Sequence, residues 1–447
     1  MQTTWNPTSW KELPALQQPE WPDIGEYEGA LKELEAFPPL VFAQEIRYLQ
    51  KGLALAAQGR AFMLQAGDCA ESFIEHSAQT IQHKLKVILQ MAVVLTYSTG
   101  VPVIKVGRIA GQYAKPRSSP LEKFGDIELP SFRGHIVNSE QPDQQARIPD
   151  PSRMLTAYHQ SASSLNLIRS FTKGGFADLS KVHTWTQEFV ASSAEGQRYE
   201  AVAFEIERAL RFMAACGIDL SKEQVLQQVN FWTSHEALLL GYESAMTRKD
   251  PVSGKWYDLS AHTIWIGERT RDLGGAHLEF ASGIANPLGC KIGPSTTRDD
   301  VLGICEKLNP ARIPGRLTLI SRMGADRITD VLPPLVEAAR DEEHPVLWTS
   351  DPMHGNTFSS SGSGLKTRRF DVILKELKGF FEVHKDLGTW PGGVHIELTG
   401  EDVTECLGGA EEVLEHELDI NYNTICDPRL NGRQSLDLAY QVAEMLI

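Results

Sequence analysis

The chain has 447 residues, enough for one large α/β domain or two to three ordinary ones, and its 42% hydrophobic and 23% charged residues describe a folded globular protein rather than a disordered one. Its 43 Lys and Arg face 58 Asp and Glu, a formal net charge of −15. That balance argues against a nucleic-acid binder, which needs a basic face, but leaves room for a small anion held by a local basic cluster.

Six cysteines with no CxxC pair do not read as a disulfide framework, and the start MQTTWNPTSWKELP lacks a basic-then-apolar leader, so a cytoplasmic protein with reduced thiols is expected. Residues 1–60 contain a helix-like run with Phe42, Ile46, Leu49 and Leu53 on one face, ending near Gly59. The first apolar run, AFMLQAGDCAE (61–71), is followed by a helix whose Ile81, Leu85, Ile88, Ala92 and Leu95 share a face. The uncharged stretch 87–104 is long enough to raise the question of a membrane span. Ser98, Thr99, Gly100 and Pro102 make it a helix end, a turn and a second strand, VPVIKVGRIAG (101–111), with no membrane segment.

The next gap, about 112–228, far exceeds one crossover. It holds a KPRSSP loop (115–120) and helical faces at Leu179, Val182, Thr186 and Phe189 and at Val202, Ile206, Leu210 and Met213. Six more apolar runs follow: VNFWTSHE (229–236), HTIWIGERTR (262–271), GCKIGPS (289–295), RLTLISRMG (316–324), PVLWTSDPMHGN (345–356) and GVHIELTGED (393–402). Helical candidates lie at 328–343, broken by prolines, and at 402–418, weakened by glycines.

Continuous apolar runs fit strands covered on both faces, and eight of them alternating with helices point to a (β/α)₈ TIM barrel, with a doubly wound open sheet as the alternative. The expected organisation is an N-terminal extension, 1–60, serving oligomerisation or regulation, and a catalytic barrel, 61–447, with extra helices inserted after strand 2.

A barrel works at the C-terminal ends of its strands. Two kinds of residue collect there. One is basic: Arg108, Lys115, Arg117, Arg269, Arg271, Lys291 and Arg322. Arg offers a planar fork and Lys a compact charge to phosphate and carboxylate oxygens, so an anionic substrate is implied; taken singly, each is as readily a surface charge. The other is metal-like: Cys69, His354, Glu397 and Asp427, a mixed S/N/O set that suits a divalent transition metal. No short ligand spacing supports it, so the residues alone leave packing and ligation both open.

The motifs GDCAE (67–71), KVGRIAGQYAKPRSS (105–119), WIGERTR (265–271), KIGP (291–294), ISRMG (320–324), DPMHGNT (351–357), HIELTGEDVTEC (395–406) and CDPRLN (426–431) closely resemble those of the type II (plant-like) 3-deoxy-D-arabino-heptulosonate 7-phosphate (DAHP) synthases, in order and over nearly the whole chain. The resemblance implies a (β/α)₈ barrel and a transferase that condenses phosphoenolpyruvate with erythrose 4-phosphate in the shikimate pathway. It implies a metal, Mn²⁺ or Co²⁺, on Cys69, His354, Glu397 and Asp427; a phosphoenolpyruvate site of Arg108, Glu268, Arg269, Lys291 and Arg322; and an erythrose 4-phosphate end at Lys115, Arg117 and Ser118. Glu268, Lys291 and His354 are the expected catalytic groups. A homo-oligomer, tetramer or dimer, inhibited by Trp, Phe or Tyr and with chorismate mutase as a further partner, is also implied.

Two other readings remain at this level: another metal-dependent aldolase or lyase, which would need only one phosphate site, and a non-catalytic scaffold, which would have lost ligands. Cys426 precedes the expected ligand Asp427, so a reversible Cys69–Cys426 disulfide is a further expectation for the metal-free protein.

Overall fold

The computed structural model describes residues 5–125, 127–174, 178–185, 188–217, 219, 228–410 and 412–447. All eight apolar runs form strands: β1 (Phe62–Gly67), β2 (Val103–Arg108), β3 (Trp232–Glu236), β4 (Thr263–Ile266), β5 (Leu288–Ile292), β6 (Leu317–Ser321), β7 (Val346–Ser350) and β8 (Gly393–Glu397). They close into one barrel in chain order, every pairing parallel. The pairing of β1 with β8, from Met63 opposite Gly393 to Gly67 opposite Glu397, closes the ring and rules out an open sheet. Strands β1 and β4 to β8 are buried along their whole length, which is why their sequences are runs of apolar residues rather than alternations.

Ten helices of eight residues or more are described: α1 (Ile24–Ala36), α2 (Ala43–Ala57), α3 (Ala78–Thr99), α4 (Ser152–Lys173), α5 (Ala194–Ala215), α6 (Ala276–Gly283), α7 (Arg298–Leu308), α8 (Ile328–Asp341), α9 (Phe370–Asp386) and α10 (Gly432–Leu446). Helix α3 buries the expected face and stops at Gly100, whose φ of 68° is a left-handed cap. The turn then feeds β2, and no described helix is long and apolar enough to cross a membrane.

The insertion between β2 and β3 holds α4, α5 and a small hairpin pairing Leu121–Phe124 with Ile127–Pro130. In α5 the buried residues are Glu195, Gly196, Tyr199, Ala203 and Leu210, so the expected face is rotated by about one residue. Of the other expected face, Val182 is buried, Thr186 lies outside the described residues, and nothing is described for the side chains of Leu179 and Phe189.

Two expectations are corrected. Helix α8 runs unbroken through Pro333 and Pro334, because Ile328, Leu332, Leu335, Val336 and Ala339 bury a continuous face whose packing outweighs the lost hydrogen bonds. Among the described residues of 402–418 there is no α-helix: Gly408 and Gly409 take φ of 78° and 97°, and a 3₁₀ turn forms at Glu415–Glu417. The last barrel helix is α10, capped by Asn431 accepting from Gln434 N.

The segment before β1 is built into the barrel. Helix α2 buries Leu49, Leu53 and Ala56 against Met63, Val106 and Leu347, covering the N-terminal end of the strands. Further upstream, Trp10 Nε1 donates to Ser244 Oγ at 2.7 Å. Gln17 grips Arg117 twice, accepting from its N–H at 2.8 Å and donating to its carbonyl at 3.0 Å.

Candidate active site

The loops at the C-terminal ends of the strands are tied together by buried carboxylates. Glu71, after β1, accepts from the N–H groups of Ala110, Gly111 and Gln112 after β2. Glu376 of α9, 0% exposed, accepts from Met323 and Gly324 after β6 and from Asn356 after β7. Glu405 holds Arg429 through its backbone and guanidinium. The first two ties each join two loops that carry expected site residues, and the third braces the single connection from β8 to α10 that carries Asp427. The first motif also needs its glycine: Gly67 has φ of 145°, and a Cβ there would stand 2.7 Å from the Arg108 carbonyl oxygen. At Gly293 a Cβ would overlap the Glu268 carboxylate, so the KIGP glycine clears space for that acid.

Three of the four metal-like residues come together: donor atoms of Cys69, Glu397 and Asp427 lie within 4.8 Å of one another. His354 lies outside that group but beside it, its Nε2 being 3.0 Å from Glu397 Oε1. Its Nδ1 lies 2.8 Å from Asp351 Oδ2, an arrangement that fixes the ring and turns Nε2 to the cluster. Donors bound at about 2.0–2.3 Å to one ion stand at most about 4.5 Å apart, close to this span.

The charge pattern also fits a cation. Lys115 Nζ sits 2.9 Å from Cys69 Sγ and 2.5 Å from Asp427 Oδ2, an ammonium standing where positive charge is held. Burial opposes its charge, but Asp427 and Cys69 raise its pKa well above the usual range. Burial would likewise raise Glu397, yet His354, Arg368 and Arg108 hold its carboxylate well below the usual range. Burial pushes the Cys69 thiol well up, and it hydrogen-bonds to the Cys426 thiol. A thiolate here therefore needs a cation stronger than Lys115 alone. These residues could hold a divalent metal.

The basic residues surround the same cavity, of about 350 Å³, lined among others by Cys69, Arg108, Lys115, Arg117, Ser118, Glu268, Arg269, Lys291, Arg322, His354 and Asp427. Glu397 lies behind His354, 0% exposed. Arg108 is buried over the Trp265 ring at 5.1 Å and reaches Glu397 Oε1 at 2.8 Å. It also bonds His395, which burial and the neighbouring Lys291 and Arg108 hold well below its ordinary pKa and so keep neutral. Lys291 Nζ lies 2.8 Å from Asp351 and 3.3 Å from His354 Nδ1, and burial lowers its pKa. Arg322 reaches Glu268 Oε2 at 3.2 Å and the His354 carbonyl at 2.6 Å. Across the mouth, Arg269 donates to Ser118 Oγ at 2.7 Å.

Lys115 points into the metal-like cluster, while Arg117 pairs with Glu122 and Ser118 faces Arg269. Arg271 is not among the cavity residues; it pairs with Glu268 at 3.7 Å and Asp300 at 3.9 Å. Sequence reasoning missed Arg368, fully buried and 2.8 Å from Glu397 Oε2, and Lys366, 3.2 Å from Asp427 Oδ1. Both sit in the long connection between β7 and α9, away from the end of any barrel strand. It also missed Glu236, the last residue of β3, which lines the cavity with Oε1 buried and unbonded among the described residues. Its place at a strand end was the available signal.

Residues 5–443 match the model of the class-II DAHP synthetase family. The chain is 57% identical over 437 residues to a phospho-2-dehydro-3-deoxyheptonate aldolase of Streptomyces coelicolor, covering 98% of this chain and 96% of that one. It is 51% identical over 439 residues to phospho-2-dehydro-3-deoxyheptonate aldolase AroG of Mycolicibacterium smegmatis, covering 97% and 93%. A solved phospho-2-dehydro-3-deoxyheptonate aldolase from Francisella tularensis is a looser match, with 14% identity and a TM-score of 0.45 over 94% of this chain and 96% of that one.

Proposed function

The chain belongs to the class-II DAHP synthetase family, and on that premise we propose that its barrel mouth joins phosphoenolpyruvate, erythrose 4-phosphate and water into DAHP and phosphate, the first step of the shikimate pathway. The observation that supports this most is a single cavity in which a metal-like S/N/O cluster faces basic groups on two sides. A lyase acting on one anion would need only one of those sides.

Arg108, Arg269, Lys291 and Arg322, beside Glu268, take the carboxylate and phosphate of phosphoenolpyruvate, and Lys115, Arg117 and Ser118 hold the erythrose 4-phosphate end. Cys69, His354, Glu397 and Asp427 hold the divalent ion, Mn²⁺ or Co²⁺, with Arg108 and Arg368 orienting Glu397. When bound, that ion supplies Lewis acidity toward the aldehyde oxygen. C3 of phosphoenolpyruvate attacks the aldehyde carbon, and Lys291, in contact with Asp351 and His354, delivers a proton to the aldehyde oxygen. Glu268, fixed by Arg322, positions the water that adds at C2 and takes its proton. The phosphohemiketal so formed releases inorganic phosphate.

Regulation and assembly follow the same reading. Helix α5 presents Phe204 and Phe212 at 55% and 70% exposure, which supports a homo-oligomer built through the insertion. Inhibition by Trp, Phe or Tyr, a chorismate mutase partner and a cytoplasmic location complete the proposal. Oxidation of the metal-free protein should link Cys69 to Cys426 and remove a ligand until thiol is added.

The test is phosphate release from phosphoenolpyruvate. Release that requires both erythrose 4-phosphate and a divalent metal supports the reading; equal release without erythrose 4-phosphate would defeat it.

A further inference from the structure

The long connection from β7 to α9 folds back on itself as a hairpin, Phe358–Ser359 against Lys366–Thr367, and brings Lys366 to the wall of the main cavity. The backbone around this residue is pinned. Tyr422 Oη donates to the Lys366 carbonyl at 2.8 Å, and Thr367 Oγ1 donates to the Glu405 carbonyl at 2.9 Å. Next to them Arg368, 0% exposed, donates to Thr357 Oγ1 at 2.9 Å. The Lys366 side chain projects from this frame with 47% of its surface exposed, and its Nζ ends 3.2 Å from Asp427 Oδ1.

Asp427 is balanced without it. Lys115 Nζ stands 2.5 Å from Oδ2, and both of those side chains are largely buried. A second ammonium on the same carboxylate, half in solvent, adds little to stability. Its position points to a different use. Asp427 is one of the residues that would hold the ion, so Lys366 Nζ lies one hydrogen bond from an ion ligand. In the proposed reaction the group at the ion is the aldehyde of erythrose 4-phosphate, with the C2 and C3 hydroxyls beside it and the phosphate at the far end. An ammonium has three donors and no acceptor. One donor meets Asp427, and the hydroxyl oxygens are the nearest acceptors that the substrate offers to the others.

We infer that Lys366 is a specificity-determining residue, whose ammonium bridges Asp427 and a hydroxyl of erythrose 4-phosphate, at C2 or C3. This rests on the proposed reaction. Loss of that hydroxyl leaves a donor unanswered beside the ion, which is how a polar site rejects an otherwise similar aldose. The phosphate stays with Lys115, Arg117 and Ser118.

The test compares wild type with Lys366→Met, which keeps the length of the side chain and removes its charge. Phosphate release from phosphoenolpyruvate is followed in the metal-replete full chain with erythrose 4-phosphate and with its 2-deoxy and 3-deoxy analogues. The variant should lose about tenfold or more in kcat/KM for erythrose 4-phosphate. For one of the two deoxy analogues it should match wild type within about twofold, because the partner hydroxyl is already gone. KM for phosphoenolpyruvate and the affinity for Co²⁺, read by absorption, should not change. Where an analogue does not turn over, its inhibition constant against erythrose 4-phosphate enters the same comparison. An equal loss with all three aldoses, an unchanged kcat/KM for erythrose 4-phosphate, or a loss of Co²⁺ affinity that accounts for the defect would overturn the assignment of Lys366 alone. Wild-type protein inert toward erythrose 4-phosphate would instead defeat the proposed reaction, and this inference with it.

Discussion

At its N-terminal end the barrel is covered by α2, whose Leu49, Leu53 and Ala56 are at most 1% exposed against Met63 and Leu347. At its C-terminal end it opens onto a cavity lined by ionisable groups, with Asp351, Glu397 and Arg368 at 0% exposure beneath it. The first end gains stability from apolar area removed from water. The second contributes little, because the attraction within buried ion pairs is largely offset by desolvation. The most deeply buried carboxylates at the mouth are matched, Glu397 by Arg108 and Arg368, Asp351 by Lys291 and His354. The comparison teaches that one end of the fold carries stability and the other holds charge ready for ligands. Substitutions at the two ends should therefore separate folding from turnover.

The largest separation is expected at the mouth. His354→Ala should cut kcat by about 10³-fold or more, while the melting temperature stays within about 2 °C, because the side chain is partly exposed and its neighbours keep their partners. Phosphate release and thermal unfolding on the same sample check it; a comparable loss of both would break the comparison. At the opposite end, Leu53→Ala should cost about 2–5 kcal/mol of stability, read by denaturant unfolding, and leave kcat of the folded enzyme unchanged.

The ties between loops provide the next test. Burial, reinforced by the charge of Asp351, holds the Glu376 carboxyl up to about 7 from its ordinary 4.5. Below pH 4.5 both folded and unfolded chains keep the proton. Between 4.5 and 7 only the folded chain keeps it, so stability falls as pH rises through that window and is flat above it. The fall is of order 3 kcal/mol. Glu376→Gln should flatten that part of the stability–pH curve, and an unchanged slope would remove Glu376 from the account. The smallest effect is expected at Gln17, which grips Arg117 from the N-terminal segment. Gln17→Ala should raise KM for erythrose 4-phosphate about fivefold, the worth of about 1 kcal/mol, with kcat nearly unchanged. A change confined to phosphoenolpyruvate would place the KPRSS loop on the wrong substrate.

The barrel was legible because strands buried on both faces are continuous apolar runs, and each run ended in polar or charged residues that the fold brings to one mouth. Cys69, Arg108, Lys291, Arg322 and His354 were found that way, and Asp427 from a turn-like segment late in the chain. Arg368 and Lys366 were not, because they come from a hairpin-bearing connection that reaches the cavity only through tertiary folding. The position of Lys115 between Cys69 and Asp427 depends on the reach of a long side chain, which loop sequence does not encode. At 402–418 composition suggested a helix, but positive φ at two glycines turns the chain away. At 328–343 the prolines suggested a break that a buried apolar face overrides.

The central claim is that the mouth cluster and the basic cavity act as one metal site on two anions. Titrating Co²⁺ into metal-stripped protein, while following the sulfur-to-cobalt charge-transfer absorption and phosphate release together, tests it most directly. Both should rise in parallel and saturate at one ion per chain, and Cys69→Ser should lose the absorption band. Full, erythrose 4-phosphate-dependent phosphate release from protein shown metal-free by elemental analysis would contradict it.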